Sequence, residues 1–380
     1  MNIAVNVRVL LEGKLEGIGV FTAETLRLIT RQHPEHVFYF LFDRPYSSSF
    51  VFSDNVRPVV IGPQARHPLL WYWWFEWSVP QVLRRIKADL FVSPDGYGSL
   101  RAHCPQVVVM HDLAFEHFDD QMDALSKAYY RHFSPKYARK AVRLVTVSEF
   151  SRNDIAKRYG IDESQIDVAC NGVDDYFRPL DSDQQQQVRD RLTGGRPYFL
   201  YAGALQPRKN IVRLLQAYDR YRSQNPDGLC LVLAGRKWSY PEAYRMLHEM
   251  RFRSDVIHTG HMSRAELARL MGAATALVYV SLFEGFGIPL VEAMYSDVPV
   301  ITSRTSSMPE VAGQAALLVD PFSVSEIAAA LQAISSDGEL RRQLIAAGRQ
   351  QRQRYSWQRA ADQFWHAIDY GLQFARSQNS

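Results

Sequence analysis

Cysteine is scarce in this chain. Cys104, Cys170 and Cys230 are the whole complement of 380 residues, odd in number, far apart and without metal-ligand spacing. That pattern excludes a disulfide framework and a structural zinc site, and it points to a reducing, cytoplasmic setting. Long apolar runs are missing as well. No window reaches the roughly 20 apolar residues needed to cross a bilayer, and the opening stretch MNIAVNVRVL lacks the apolar core of a signal peptide. Low-complexity tracts, zinc-finger spacing and basic-aromatic recognition motifs are all absent, so nucleic acid is not an expected partner. Nor does one sign of charge dominate. The net charge of +4 has its excess in one half: residues 1–175 hold 20 Lys and Arg against 21 Asp and Glu, whereas 176–380 hold 24 against 19. A cationic second half suits an anionic ligand there.

What is present is apolar sequence in short pieces. A chain of 380 residues, 47% hydrophobic and 22% charged, suits two domains with substantial cores. NIAVNVRVL, VFYFLFD, VRPVVIG, ADLFVSPD, QVVVMHD, RLVTVSE and IDVACNG read as strands in the first half. PYFLYAG, LCLVLAG, DVIHTGH, ALVYVSL, VPVITS and AALLVD do so in the second. Strands apolar on both faces, alternating with helical patterns, predict an α/β chain of two Rossmann-like, doubly wound parallel-sheet domains. The polar stretch DDYFRPLDSDQQQQVRDRLTGGRP reads as the break, a linker with a short helix in it, giving domains 1–177 and 178–356. The terminal helical pattern, 357–378, is free to cross back onto the first domain. Such domains face each other across a cleft at the carboxyl ends of their sheets, where open α/β sheets bind ligands. Helix starts are expected at Asn210, after Ser263, and at Ser323 with Glu326 as a capping box, that last helix ending at Gly338. Ser148 or Ser151 reads as a further cap.

Two stretches carry chemistry. GALQPRKN, residues 203–210, follows a strand and precedes a helix, so Arg208 and Lys209 sit near unpaired helix N–H groups that attract anions. Such a pair can hold a diphosphate; alone it reads more readily as a solvated basic turn. EGFGIPLVEAM, residues 284–294, occupies the same kind of place. Pro289 suits a first helical turn, which sets Glu292 near the positive end, either as a helix cap or as a ligand group. Glu284 precedes the turn, where no cap is required. Gly285 and Gly287 permit close approach of backbone to a ligand. Two carboxylates about a phosphate-sized gap can accept hydrogen bonds from hydroxyls at both ends of a sugar nucleotide.

With these motifs in hand, the sequence resembles the retaining glycosyltransferases of family 4, which have the GT-B fold. The likeness rests on the Glu-x7-Glu motif of Glu284 and Glu292, the Arg208-Lys209 pair after a Gly-x-Leu turn at Gly203, and the N-terminal turn LEGIGVFTAETL. It spans essentially the whole chain. The resemblance implies that Glu292 holds the nucleotide ribose and Glu284 contacts the transferred sugar. It implies that Phe286, Gly287, Ile288 and Leu290 line the donor site, while Arg208 and Lys209 neutralise the leaving diphosphate. Gly260, His261 and Met262 would line the base, and Gly17 and Gly19 would form the N-terminal phosphate and acceptor-side turn, although Ile18 splits the family's Gly-Gly pair. His111, at the end of QVVVM, resembles the residue that meets the donor sugar. Asp112 beside it would orient it or serve the acceptor.

Implied with these roles is hexose transfer, of mannose or glucose type, from a GDP- or UDP-linked donor to a glycan or lipid-linked glycan in cell-surface polysaccharide assembly. Anomeric configuration would be retained, with neither a metal ion nor another cofactor. A sugar-nucleotide epimerase of the same architecture, or a nucleotide-sugar-binding protein without turnover, are the alternative readings. Residues 67–87 hold four of the seven tryptophans, followed by Arg84, Arg85 and Lys87, with a second basic set from Lys127 to Arg143. These rings suit peripheral contact with an anionic membrane on its inner face, or else the domain core or a wall of the acceptor site.

Overall fold

A computed structural model describes residues 1–118, 122–236 and 240–379. Among them thirteen strands form, one within each apolar run: β1 (Asn2–Asn6), β2 (Val37–Phe42), β3 (Val56–Val60), β4 (Leu90–Ser93), β5 (Gln106–Val109), β6 (Arg143–Thr146), β7 (Ile166–Val168), β8 (Tyr198–Ala202), β9 (Cys230–Ala234), β10 (Val256–Gly260), β11 (Ala276–Tyr279), β12 (Val300–Ser303) and β13 (Ala316–Val319). Every pairing is parallel. The first seven make a sheet of order β3-β2-β1-β4-β5-β6-β7, and the last six one of order β10-β9-β8-β11-β12-β13. The central strands β4, β5, β8, β9, β11 and β12 are buried along their whole length, as parallel strands covered by helices on both faces must be.

The chain divides into two compact units, Met1–Gly172 with Ser356–Ser380, and Val173–Tyr355. Residues 173–177 belong to the second unit because Arg264 pairs with Asp174 and lies over the Phe177 ring. The polar stretch after them holds the short helix expected there. It forms the helix Ser182–Thr193, closed by a capping box from Asp181 and Gln184, and Arg189 anchors it to the Ala273 carbonyl. The 23-residue helix Trp357–Asn379 packs on the first unit against the helix Gly17–Gln32, with Phe364 on Phe21 and Trp365 stacked 3.5 Å from His33. Its start crosses Gly172 so closely that a Cβ there would lie 2.2 Å from the Trp357 nitrogen.

Several local expectations shift. The first strand stops at Asn6 because Arg8 turns aside to pair with Asp95. Gly17 and Gly19 form the first turn of a helix rather than a loop before it. Asn210 is not helical but left-handed, φ 62°, and the helix begins at Ile211. Ser263 and Glu266 make a full capping box. Ser323 caps its helix, but Glu326 turns to the Asp320 amide and to Arg304 rather than back to Ser323. That helix ends at Ser336, and Gly338 opens the next one under an Asp337 cap. Ser148, not Ser151, caps the helix Glu149–Tyr159.

Candidate active site

In the second sheet β8 lies between β9 and β11, so the connections leaving β8 and β11 diverge and open a crevice at their carboxyl ends. The two motif stretches are the two walls of that crevice. Gly203 ends β8 with φ 149°, its amide held by the Ala234 carbonyl at 2.8 Å, and an added Cβ would meet the Tyr201 hydroxyl at 3.0 Å. After the short turn Pro207–Lys209, the buried Asn210 side chain donates to the Val280 and Pro321 carbonyls at 3.0 and 2.6 Å. Leu282 donates its amide to the Arg208 carbonyl at 2.8 Å. The turn after β8 is therefore fastened to the turn after β11.

Between these walls sits a buried ionic cluster. Glu284 accepts from Arg208 Nη1 at 2.9 Å through one oxygen, and from Lys209 Nζ at 2.5 Å and the Tyr279 hydroxyl at 2.9 Å through the other. Tyr279 gives its single proton to Glu284, so its oxygen is the acceptor for Lys209 Nζ at 2.6 Å. Burial pushes the Glu284 carboxyl up, but Arg208 and Lys209 outweigh it and hold the group down at about 2. Burial and the adjacent carboxylate keep the Tyr279 phenol protonated, well above its usual range. Among the described residues, two cations against one anion leave a surplus positive charge in this cluster, which a diphosphate can neutralise. Sequence spacing set Glu284 apart from the basic pair; the fold makes it their counter-ion.

Glu292 lies in the helix Ile288–Tyr295 and is likewise buried. It accepts from Arg264 Nη1 at 2.6 Å, while Arg264 Nε reaches Asp174 at 2.8 Å. This pairing displaces the helix-cap reading. Burial raises the Glu292 carboxyl, and Arg264 opposes that only in part. Gly287 takes φ 97°, where a Cβ would press within 2.9 Å of the Met308 methyl, and so starts the helix in a conformation other residues avoid. The Ile288 amide heads the helix, where first-turn N–H groups have no intrahelical acceptor. Phe286 is buried with its carbonyl on Ser307 Oγ, and the Leu290 side chain is wholly in the core. Gly260 is left-handed, φ 77°, and with the exposed His261 and the half-buried Met262 leads into the helix Arg264–Ala273 that carries Arg264.

Tyr279, Arg264 and Ser306, whose hydroxyl accepts from the Glu284 amide at 3.1 Å, escaped sequence reading. Tyr279 is hidden inside an apolar strand and Arg264 inside a capping sequence. Only the paired carboxylates, with no other visible cation for Glu292, signalled that partners were due.

In the first unit the equivalent switch point falls between β1 and β4. There Asn6 donates to Ser93 and Asp95, and Arg8 pairs with Asp95 at 2.6 Å while its guanidinium lies 4.1 Å from the Tyr97 ring centre. Sequence reading singled out none of these five. His111 follows β5, edge-on to Phe21, with Nε2 at 2.9 Å from the Pro94 carbonyl. A carbonyl only accepts, so Nε2 carries the proton. Burial lowers the imidazole's pKa, which keeps the ring neutral with Nδ1 as an acceptor. Asp112 does not orient it: its carboxylate accepts from the Ala114 amide at 2.9 Å. Gly17 and Gly19 lie in the helical turn after β1, where a Cβ on Gly19 would press on the Val9 carbonyl at 3.1 Å.

Two family models together cover most of the chain: "Glycosyltransferase Family 4" matches residues 15–177 and "Glycosyl transferases group 1" matches 183–351. Among curated proteins, the O-antigen chain mannosyltransferase B of Escherichia coli is 29% identical over 291 residues, 74% of this chain and 74% of its own. The MMP alpha-(1->4)-mannosyltransferase of Mycolicibacterium hassiacum is 34% identical over 234 residues, 60% of this chain and 54% of its own. Among solved structures, Anabaena HepE in complex with UDP and glucose aligns over 100% of this chain and 99% of its own, with a TM-score of 0.73 at 18% identity.

Proposed function

Because the chain belongs to the family 4 glycosyltransferases and has their GT-B fold, we propose that it transfers a mannosyl or closely related hexosyl group, with retention, from a GDP- or UDP-linked donor to a hydroxyl of a glycan or lipid-linked glycan. The observation that carries this reading is the cluster of Arg208, Lys209, Glu284 and Tyr279: a fixed, partly desolvated surplus of positive charge at a switch point. The two mannosyltransferase relatives support the sugar, and the O-antigen relative supports cell-surface polysaccharide as the product. The UDP-bound neighbour shares only the fold, so it leaves the base open between GDP and UDP.

In the proposed reaction the bond from the sugar's anomeric carbon to the diphosphate oxygen breaks, and the acceptor oxygen bonds to that carbon on the same face. The acceptor's proton passes to the departing phosphate. Charge accumulates on the diphosphate as it leaves, and Arg208 and Lys209, already oriented by Glu284, interact more strongly with it then than in the ground state. They supply the positive charge that a metal ion would otherwise bring. Glu292 takes the ribose hydroxyls, exchanging part of its contact with Arg264. The family resemblance assigns the neutral His111 to the donor sugar and Asp112 to the acceptor side.

The test is a thermal-shift series with GDP, UDP and their hexose conjugates, followed by an acceptor assay. A ligand at a hundred times its Kd should stabilise the protein by about 2.7 kcal/mol. Stabilisation by a nucleotide sugar together with a glycosylated product supports transfer. An epimerised sugar nucleotide without acceptor would replace that reading, and stabilisation with no turnover at all would leave a binding protein. Within the same reading, Glu292→Ala should weaken nucleotide binding by about ten- to a hundredfold, the loss of hydrogen bonds to a charged group. Unchanged affinity in calorimetry would return Glu292 to a structural partner of Arg264.

A further inference from the structure

The tryptophan-rich stretch divides its rings between two environments. Residues 68–85 are helical throughout, as the helix Pro68–Trp73, a π turn Trp74–Ser78 and the helix Val79–Arg85. The inner face is core: Trp74 is fully buried with its indole N–H on the Ile61 carbonyl at 3.0 Å, Phe75 stacks on Tyr97, and Glu76 accepts from the Leu100 amide at 3.0 Å. The widened π turn takes Trp74, Phe75 and Glu76 inward together and leaves Trp73 and Trp77 outside.

The outer face is apolar where a soluble helix would be polar. Leu69 is 67% exposed, Trp73 55% and Trp77 40%, joined by Leu70 and Tyr72. Trp73 and Trp77, one turn apart, stack with ring centres at 6.0 Å. Cations border this face. Arg66 precedes the helical stretch, Arg84 and Arg85 end it and Lys87 follows, all exposed, and the Arg101 guanidinium lies 4.0 Å from the Trp77 ring centre. Glu76 is the sole acid between residues 62 and 88, and it is buried. An exposed apolar patch of this kind marks an interaction site.

We propose that this face docks the first unit onto an anionic lipid bilayer. Tryptophan and tyrosine rings seat at the boundary of headgroups and acyl chains, leucines reach past it, and the bordering arginines and lysine meet lipid phosphates. Charge complementarity selects this occupant: from residue 62 to residue 88 the border is cationic and holds no exposed acid, whereas a patch matching a second copy of itself would set like charges against each other. The inference goes beyond the transfer reaction and does not depend on which donor is used.

Sedimentation of the full chain with vesicles tests it. Vesicles of 70% phosphatidylcholine and 30% phosphatidylglycerol should bind at least tenfold more protein than pure phosphatidylcholine, with the difference shrinking as salt rises. Replacing Trp73 and Trp77 together by Ser should lower that binding at least tenfold, and Arg84→Glu with Arg85→Glu should remove its salt dependence. Both pairs are at the surface, so the thermal midpoint and nucleotide-induced stabilisation should stay at wild-type values. Tryptophan emission of the unmodified protein should shift to the blue on the anionic vesicles, a readout that needs no variant. Equal or absent binding to the two vesicle types would overturn the proposal. So would a concentration-dependent dimer in analytical ultracentrifugation that the Trp pair abolishes while vesicle binding persists, which would assign the face to a second copy.

Discussion

Lys209→Ala should lower kcat of sugar transfer by about a thousandfold, the upper end of what removing one preorganised electrostatic group costs. The ammonium is aimed by two fixed partners, Glu284 at 2.5 Å and the Tyr279 hydroxyl at 2.6 Å, so no reorganisation is needed when charge develops on the leaving diphosphate. In the variant Glu284 keeps Arg208 and Tyr279, and the fold should survive. Because the diphosphate gains charge as the bond breaks, nucleotide affinity should fall far less than kcat. Near-normal turnover would remove Lys209 from the reaction. Equal losses in affinity and rate would make it a ground-state anchor instead.

Glu284→Ala should be the most damaging single change to both stability and activity. It leaves two half-buried cations side by side without their buried carboxylate, a loss of up to about 3–5 kcal/mol, the range for a broken buried pair. It also releases the groups that hold Arg208 and Lys209 in place, so activity should fall at least a hundredfold even where the protein stays folded. The pH dependence gives an independent check. The folded carboxyl titrates at about 2 against an ordinary 4.5, so its contribution is fully present above pH 4.5 and lost as pH falls through 2. The gap between 4.5 and about 2 corresponds to roughly 3 kcal/mol at neutral pH, of which less than half remains at pH 3. Denaturant unfolding of wild type and Glu284→Gln should therefore converge in acid. A difference that stays constant between pH 7 and pH 3 would mean that ionisation of Glu284 is not what stabilises the cluster.

Much of the fold was legible because its signals are local. The central strands were legible because a parallel strand buried on both faces must be apolar nearly throughout, as β4, β5, β8, β9, β11 and β12 are. Ser263 could be read as a cap because a cap needs a hydroxyl at one end of three residues and little else. Errors arose where a local signal had a distant competitor. Glu326 had the right spacing for a capping box, but Arg304 and the Asp320 amide claimed its carboxylate. Gly338 looked like a helix end, yet Asp337 caps a new helix at that point. The tryptophan stretch offered core and surface alike, and only the π turn decided which rings went where.

For the site, composition and spacing were enough to pick out Arg208, Lys209, Glu284 and Glu292 as charged groups lodged at strand-to-helix turns, with glycines clearing space beside them. They could not say which charge meets which. Glu284 and Lys209 are 75 residues apart and become partners because β8 and β11 are neighbours at the switch point, while Glu292 goes to an arginine 28 residues before it on another helix. Side-chain periodicity records which face a residue takes within its own element. Ion pairing falls off over a few ångströms, so its partners are chosen only when the sheet order brings distant turns together.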